Sequence, residues 1–346
     1  MSLSDRIDNF QRKYPKSGFP LAVAYKFFDD QGGYLAALIT YYGFISLFPL
    51  LLVLTSVLGF LLEDNPDLQE RIVDSALSQI PVVGDQLGES GQLSGSTTAV
   101  TIGVVSAIYG ALGVSVAIQN AMNIVWAVPR NERPNPIRVR IKGSLLLSTV
   151  GLAVIGLTVL NGVTAAIDLG GDGRVLAMLG SLILYTAVFV VGFRFGTARP
   201  VSIRDVLPGA LAAAVGWQVL QTFGSVFVQR VIANASATNG VFAVVLGLLA
   251  FLYLAAVMVV ICLEFNAVRV DGLYPRSLLT PFTDNVVLMP GDEAAYSAQA
   301  QAQRSKGFQE IDVTFDNPPS GSSPEHRRDG EGNADRSDAD EGDDEQ

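Results

Sequence analysis

The sequence is poor in the residues that build most reactive or cross-linked sites. Its 346 residues hold one cysteine and one histidine. One cysteine excludes an intramolecular disulfide, and Cys262 lies in an apolar run, where it reads as a small hydrophobe. One histidine, His326, falls in a polar tail and excludes the multi-histidine ligand sets of hydrolytic zinc centres. No metal, cofactor or catalytic residue is expected. Charge is scarce too, at 16% of residues, against about 25% in soluble domains. There is no P-loop, so ATP-driven transport by this chain alone is not expected, and no clear inverted repeat. Met1–Lys26 lacks an early apolar core, so the first apolar run is expected to stay as an anchor rather than leave with a signal peptide.

What is abundant is long apolar runs. The chain is 49% hydrophobic, with a mean hydropathy of +0.38. A bilayer is crossed by about 20 apolar residues in a helix. Six runs qualify, at about 35–62, 99–128, 143–167, 175–193, 206–228 and 241–268. The expected fold is an all-α membrane protein of six transmembrane helices. Lysine and arginine alternate with these runs. Counting only Arg269 and Arg276 after the sixth run, fifteen lie before the first run, between runs two and three, between four and five, and just after six; three (Arg71, Arg174, Arg230) lie on the other side. By the positive-inside rule both termini are expected to be cytoplasmic.

Four regions follow: a cytoplasmic segment 1–34, the bundle 35–268, a juxtamembrane segment 269–317 and a tail 318–346. The tail explains the acidity. From Glu325 on it carries ten acidic residues against three arginines, out of a net charge of −10 for the chain. It has no large apolar residue and is expected to be disordered. In the first external loop, Leu68, Ile72, Ala76, Leu77 and Ile80 fall at helical spacing between Pro66 and Pro81, predicting a short amphipathic helix. Phe19–Phe28 predicts a second, interfacial one, with Lys26 at interface depth. Ser202 and Asp205 resemble a capping box that starts the fifth run, with Pro208 close to its first turn.

A few polar positions inside these runs are candidates for function. Glu264 is a carboxylate on the last run, costly in lipid; it reads as an ion or proton site, or as an interfacial partner of Arg269 or a loop arginine. Pro49 removes a helical hydrogen bond and is expected to kink the first helix. Tyr41, Tyr42 and Ser46 then either line the opening or only pack. Asn161 and Gln218 read as interhelical glue or pathway lining. The basic stretch Arg130, Arg133, Arg138, Arg140, Lys142 reads as a topology determinant contacting anionic lipid; Pro129, Pro134 and Pro136 are expected to keep it extended. It has no interleaved aromatics, so no nucleic-acid partner is expected.

Several of these pieces are similar to one family. The Tyr-Tyr…Ser-x-Phe-Pro run (Tyr41, Tyr42, Ser46, Phe48, Pro49), NAMNIVW at 120–126 and the closing Glu-x-Asn (Glu264, Asn266) resemble the YihY / virulence factor BrkB family of bacterial inner-membrane proteins, over about residues 17–270. The resemblance implies six transmembrane helices and adds Asn266 to the candidates. Two function classes remain: a transporter, channel or lipid-translocating protein of unknown substrate, or a non-transporting envelope component that binds lipid or protein partners. Membrane lipids are expected partners, and self-association is open. The family's old label, ribonuclease BN, does not suit a chain with these residues.

Overall fold

The computed structural model describes residues 3–61, 67, 71, 97–166, 171–227, 237–282 and 286–315, and among these all regular structure is helical. Three shorter helices, α1 (Leu3–Lys13), α2 (Phe19–Asp29) and α9 (Pro290–Ala302), accompany six long ones. The long ones are α3 (Gly32–Leu61), α4 (Thr97–Val125), α5 (Pro136–Ala166), α6 (Gly171–Gly196), α7 (Ile203–Phe227) and α8 (Ala237–Asp271). Each long helix packs on the next in sequence, and α8 returns to α3, closing a ring. Among the described residues four stretches are long and apolar enough to cross a membrane: Pro136–Leu157, Val175–Gly196, Ile203–Gly224 and Val245–Asp271. The described apolar part of α3, Gly32–Leu47, is shorter. The helix expected between Pro66 and Pro81 and the tail 318–346 lie outside the described residues.

Among the described residues the largest buried core lies at one end of the ring. Met122, Val125 and Trp126 of α4, Phe193 of α6, Val206 and Ala210 of α7, and Leu263 and Ala267 of α8 form one core there. Elsewhere large apolar side chains face outward, among them Ile183, Phe223 and Leu246. Exposed apolar area of that extent suits a lipid solvent. The same end collects the connecting segments. Arg199 donates to both Asp271 oxygens (2.7 and 2.9 Å) and lies over the Trp126 ring. The Asn131 amide donates to the Arg304 carbonyl (3.1 Å).

The basic stretch is not the extended loop that its prolines imply. Asn135 Oδ1 accepts from the Arg138 amide (2.9 Å), and Pro136 opens α5 ahead of the apolar run. A side-chain cap followed by proline at the first helical position is a strong start signal. Arg138, Arg140 and Lys142 therefore project from helical turns, and a single 3-10 turn, Arg130–Glu132, occupies the loop before them.

Helix α7 starts as its sequence implies: the Ser202 amide donates to Asp205 Oδ2 (2.8 Å) and the Asp205 amide to Ser202 Oγ (3.3 Å). Pro208, however, sits inside the helix. It cannot donate to the Arg204 carbonyl four residues back. Helix α8 repairs the gap. Arg269 Nη2 donates to the Arg204 and Asp205 carbonyls (2.9 and 2.7 Å). Asn266 accepts from the Gly209 amide (2.9 Å) and donates to the Val206 carbonyl (3.1 Å). These bonds need close backbones, and Gly209 allows it: a Cβ there would lie 2.3 Å from the Cys262 carbonyl oxygen. Helices α3 and α4 approach similarly at Gly110, where a Cβ would lie 2.7 Å from that of Ser46.

Gly209→Ala should accordingly destabilise the bundle by about 1–3 kcal/mol, the usual cost of overpacking. Gly151→Ala on α5 has open space around it and should be neutral or stabilising. Thermal melts of detergent-solubilised protein compare the two; equal melting temperatures would contradict the close α7–α8 approach.

Candidate functional site: buried charges at the capped end

Helix α2 is short but well anchored. Pro20 falls in its first turn, where its missing N–H costs nothing. Ala22 and Val23 are buried against Val268 and Leu273, and the Phe19 ring meets Phe265 edge-on at 5.0 Å. The end of α8 is shaped for this. Gly272 takes the left-handed conformation (φ 64°), and the Leu273 amide donates back to the Val268 carbonyl (3.1 Å), a Schellman closure with its usual apolar contact. So α2 lies against α8, and Lys26 is only 5% exposed.

Lys26 reaches inward. Its Nζ donates to Asp30 Oδ2, one turn on, and to the Val125 carbonyl at the end of α4 (3.2 Å). It also lies 3.6 Å from Glu264 Oε2. Glu264 is fully buried, and neither of its oxygens has a hydrogen-bond partner. The expectation that Glu264 pairs with Arg269 or a loop arginine is corrected here: Arg269 is bound to α7 carbonyls, and the cation is a lysine from the N-terminal helix. Burial lowers the Lys26 pKa, but Glu264 and Asp30 outweigh it and hold it above the ordinary lysine value. Burial raises the Asp30 pKa, and Lys26 only partly opposes this.

The other candidates do not converge on this cluster. Tyr41 points outward at 58% exposure. Tyr42 packs on Gly113 of α4, and Ser46 Oγ donates to the Gly43 carbonyl (3.0 Å) in the α3–α4 contact. Gln218 on α7 donates to Ser181 Oγ on α6 (3.3 Å), a link between two long helices. Asn266 serves the α7 repair. Pro49 and Asn161 lie within α3 and α5, but their side chains fall outside the described residues. Of the basic stretch, Arg133 donates to the Val128 carbonyl (3.1 Å) and to Asn120 (3.4 Å), while Arg130, Arg138 and Arg140 are exposed.

A second buried network adjoins the first and was not legible beforehand. Arg276, fully buried, donates to Asp292 (2.9 Å) and Asp29 (2.5 Å) between the Tyr25 and Tyr296 rings. Asp292 also accepts from the Ser277 and Met289 amides (2.9 and 3.0 Å). Asp8 of α1 accepts from Ser277 Oγ (3.1 Å) and the Leu278 amide (3.0 Å). Together these bonds join α1, α2, α9 and the segment after α8 into one cap. Aspartate and arginine in polar sequence normally read as solvated surface, so only the fold reveals the pairing.

The virulence factor BrkB family model matches residues 23–277, a range that runs from α2 through Arg276 and so includes both networks' central residues except Asp8 and Asp292. The chain belongs to the virulence factor BrkB family. BrkB-type relatives include the ribonuclease-like protein YfkH of Bacillus subtilis, 26% identical over 68% of this chain and 90% of that protein. A UPF0761 membrane protein of Nitrosospira multiformis is 26% identical over 69% of this chain and 58% of its own length. The inner membrane protein YhjD of Escherichia coli is 24% identical over 70% and 78%. No solved structure matches this BrkB-family chain. It is a membrane protein, and among its described residues no group of three or more His, Cys, Asp or Glu side chains is placed to hold a metal ion.

The pKa directions fix a sign for pH dependence. A group whose folded pKa is raised stabilises fully below its unfolded pKa and loses that contribution as pH rises through the folded value. For Lys26 that loss falls above about pH 10.4, and for Asp30 above about pH 3.9. Melting temperature against pH should therefore lose its alkaline fall in Lys26→Met and its acid-side gain in Asp30→Asn. Profiles parallel to the unmodified protein's would show that neither group is coupled to folding.

Proposed function

We propose that this BrkB-family chain is a six-span transporter, channel or lipid translocator of the bacterial plasma membrane, with both termini on the cytoplasmic side. The observation that carries the reading is Glu264: a carboxylate on a membrane-length helix, fully buried, with neither oxygen hydrogen-bonded. Packing alone gives no reason for it. Replacing buried ion pairs by apolar residues is often neutral or stabilising, and intramembrane charges cluster on ion and substrate paths. The closed ring of six long helices supports six spans. The gathering of the basic connecting segments at one end supports their placement on the cytoplasmic face. The E. coli relative is named an inner membrane protein, which supports the same membrane here. The Bacillus relative's name mentions a ribonuclease, but a nuclease reading is not proposed.

Reconstitution into liposomes tests it with two probes, a headgroup-labelled anionic phospholipid for translocation and an entrapped pH dye for proton flux. The reading predicts at least one rate well above that of protein-free vesicles, reduced about tenfold or more in Glu264→Gln. That reduction corresponds to the 1.4 kcal/mol that separates a factor of ten. Vesicles carrying folded protein but matching empty ones on both probes would overturn lipid or proton movement as the function.

A further inference from the structure

We propose that Lys26, Asp30 and Glu264 form a proton-binding site, in which one proton is shared between the two carboxyl groups and leaves or returns through Asp30. As a coupling device it deepens the transport reading above, but it is argued from charge and burial alone.

Fully ionised, the cluster holds one ammonium and two carboxylates, a net charge of −1 out of water. Lys26 is 5% exposed, Asp30 9% and Glu264 0%. An unpaired buried charge of this kind is resolved in proteins by taking up a counter-charge or a proton. Among the described residues the surroundings offer no second cation. Helix α2 presents Lys26, Asp29 and Asp30, and Asp29 is committed to Arg276. Helix α4 presents the Val125 carbonyl, which takes a Lys26 hydrogen. Helix α3 brings Leu35 and Ile39 against Val260, with no titratable group among them. On α8 itself, Arg269 is held by the carbonyls of Arg204 and Asp205, and Cys262 is neutral. On α7, Asp205 caps its own helix. Glu264's two unbonded oxygens face a site in which the nearest donor, Lys26, is already shared with Asp30 and Val125.

One added proton makes the cluster neutral. Asp30 Oδ2 and Glu264 Oε2 both face Lys26 Nζ, which brings the two carboxyl groups together; the carboxylic acid of Glu264 passes its proton to the Asp30 carboxylate, and Asp30, the most exposed member, passes it to water. Only O–H bonds break and form. Once it has gone, α2 carries two of the three remaining charges. It joins α3 through Gln31, whose left-handed backbone (φ 56°) makes a sharp turn.

Infrared difference spectroscopy of the purified full chain across a pH series reads the proton directly. At neutral pH a carboxylic-acid C=O band should be present and should vanish in Glu264→Gln. Asp30→Asn leaves Lys26 to neutralise Glu264 alone, so the band's titration midpoint should fall by about one pH unit or more; Lys26→Met should raise it by a similar amount. Asn is a near-isostere at a turn, so Asp30→Asn reports even where Glu264→Gln does not fold. Absence of an acid band at neutral pH in the unmodified protein would overturn the site, as would a band indifferent to Asp30→Asn and Lys26→Met. Vesicle flux without the band overturns only the proton site, and the band without flux overturns only the transport reading.

Discussion

The approach of Lys26 to Glu264 ties the short N-terminal helix to the longest helix of the bundle. Lys26 Nζ sits where three elements meet: its own helix through Asp30, the end of α4 through the Val125 carbonyl, and α8 through Glu264. Removing one member of a buried ion pair costs about 3–5 kcal/mol. Everything else at that end builds outward from this junction. Arg276 binds Asp29 on the same helix, Asp292 then fixes α9, and Asp8 fixes α1. The polar cap adjoins the charge inside the bundle, since Asp29 binds Arg276 and the next residue, Asp30, binds Lys26.

The helices were legible in the sequence because apolar run length and loop charge are local signals. The capping box of Ser202 and Asp205 was legible for the same reason, since both partners lie within one turn. Pro208 shows the limit. Its sequence position suggests a harmless first-turn proline, whereas α7 begins early enough that the Arg204 carbonyl is left open, and residues on α8 fill the gap. The start of α5 was misplaced because three prolines mask an Asn135 cap. Glu264 was recognisable as costly, but its partner was not. Lys26 lies in a different element far away in sequence, while Arg269 stands one turn from Glu264. Arg276, Asp292 and Asp29 look like ordinary surface charges until the cap is assembled.

Two kinds of joint hold the helices together. Gly209 with Asn266, Gly110 with Ser46 and Gln218 with Ser181 bring long helices together through small or neutral polar groups, as lipid-embedded helices commonly do. Among the described residues the buried charged joints, those of Lys26, Glu264 and Arg276, lie at the capped end. A membrane protein needing only cohesion could be built from the first kind. The second kind adds a group, Glu264, whose burial as a charge is expensive and whose partner, Lys26, lies on a separate helix.

A double-mutant cycle on Lys26 and Glu264, read as apparent melting temperature in detergent, tests the junction most directly. The account predicts that Lys26→Met alone is the most damaging change, because it leaves two buried carboxylates. The Lys26→Met/Glu264→Gln protein should regain part of that loss, with a coupling of about 1 kcal/mol or more. Strictly additive losses would contradict a Lys26–Glu264 junction between α2 and α8.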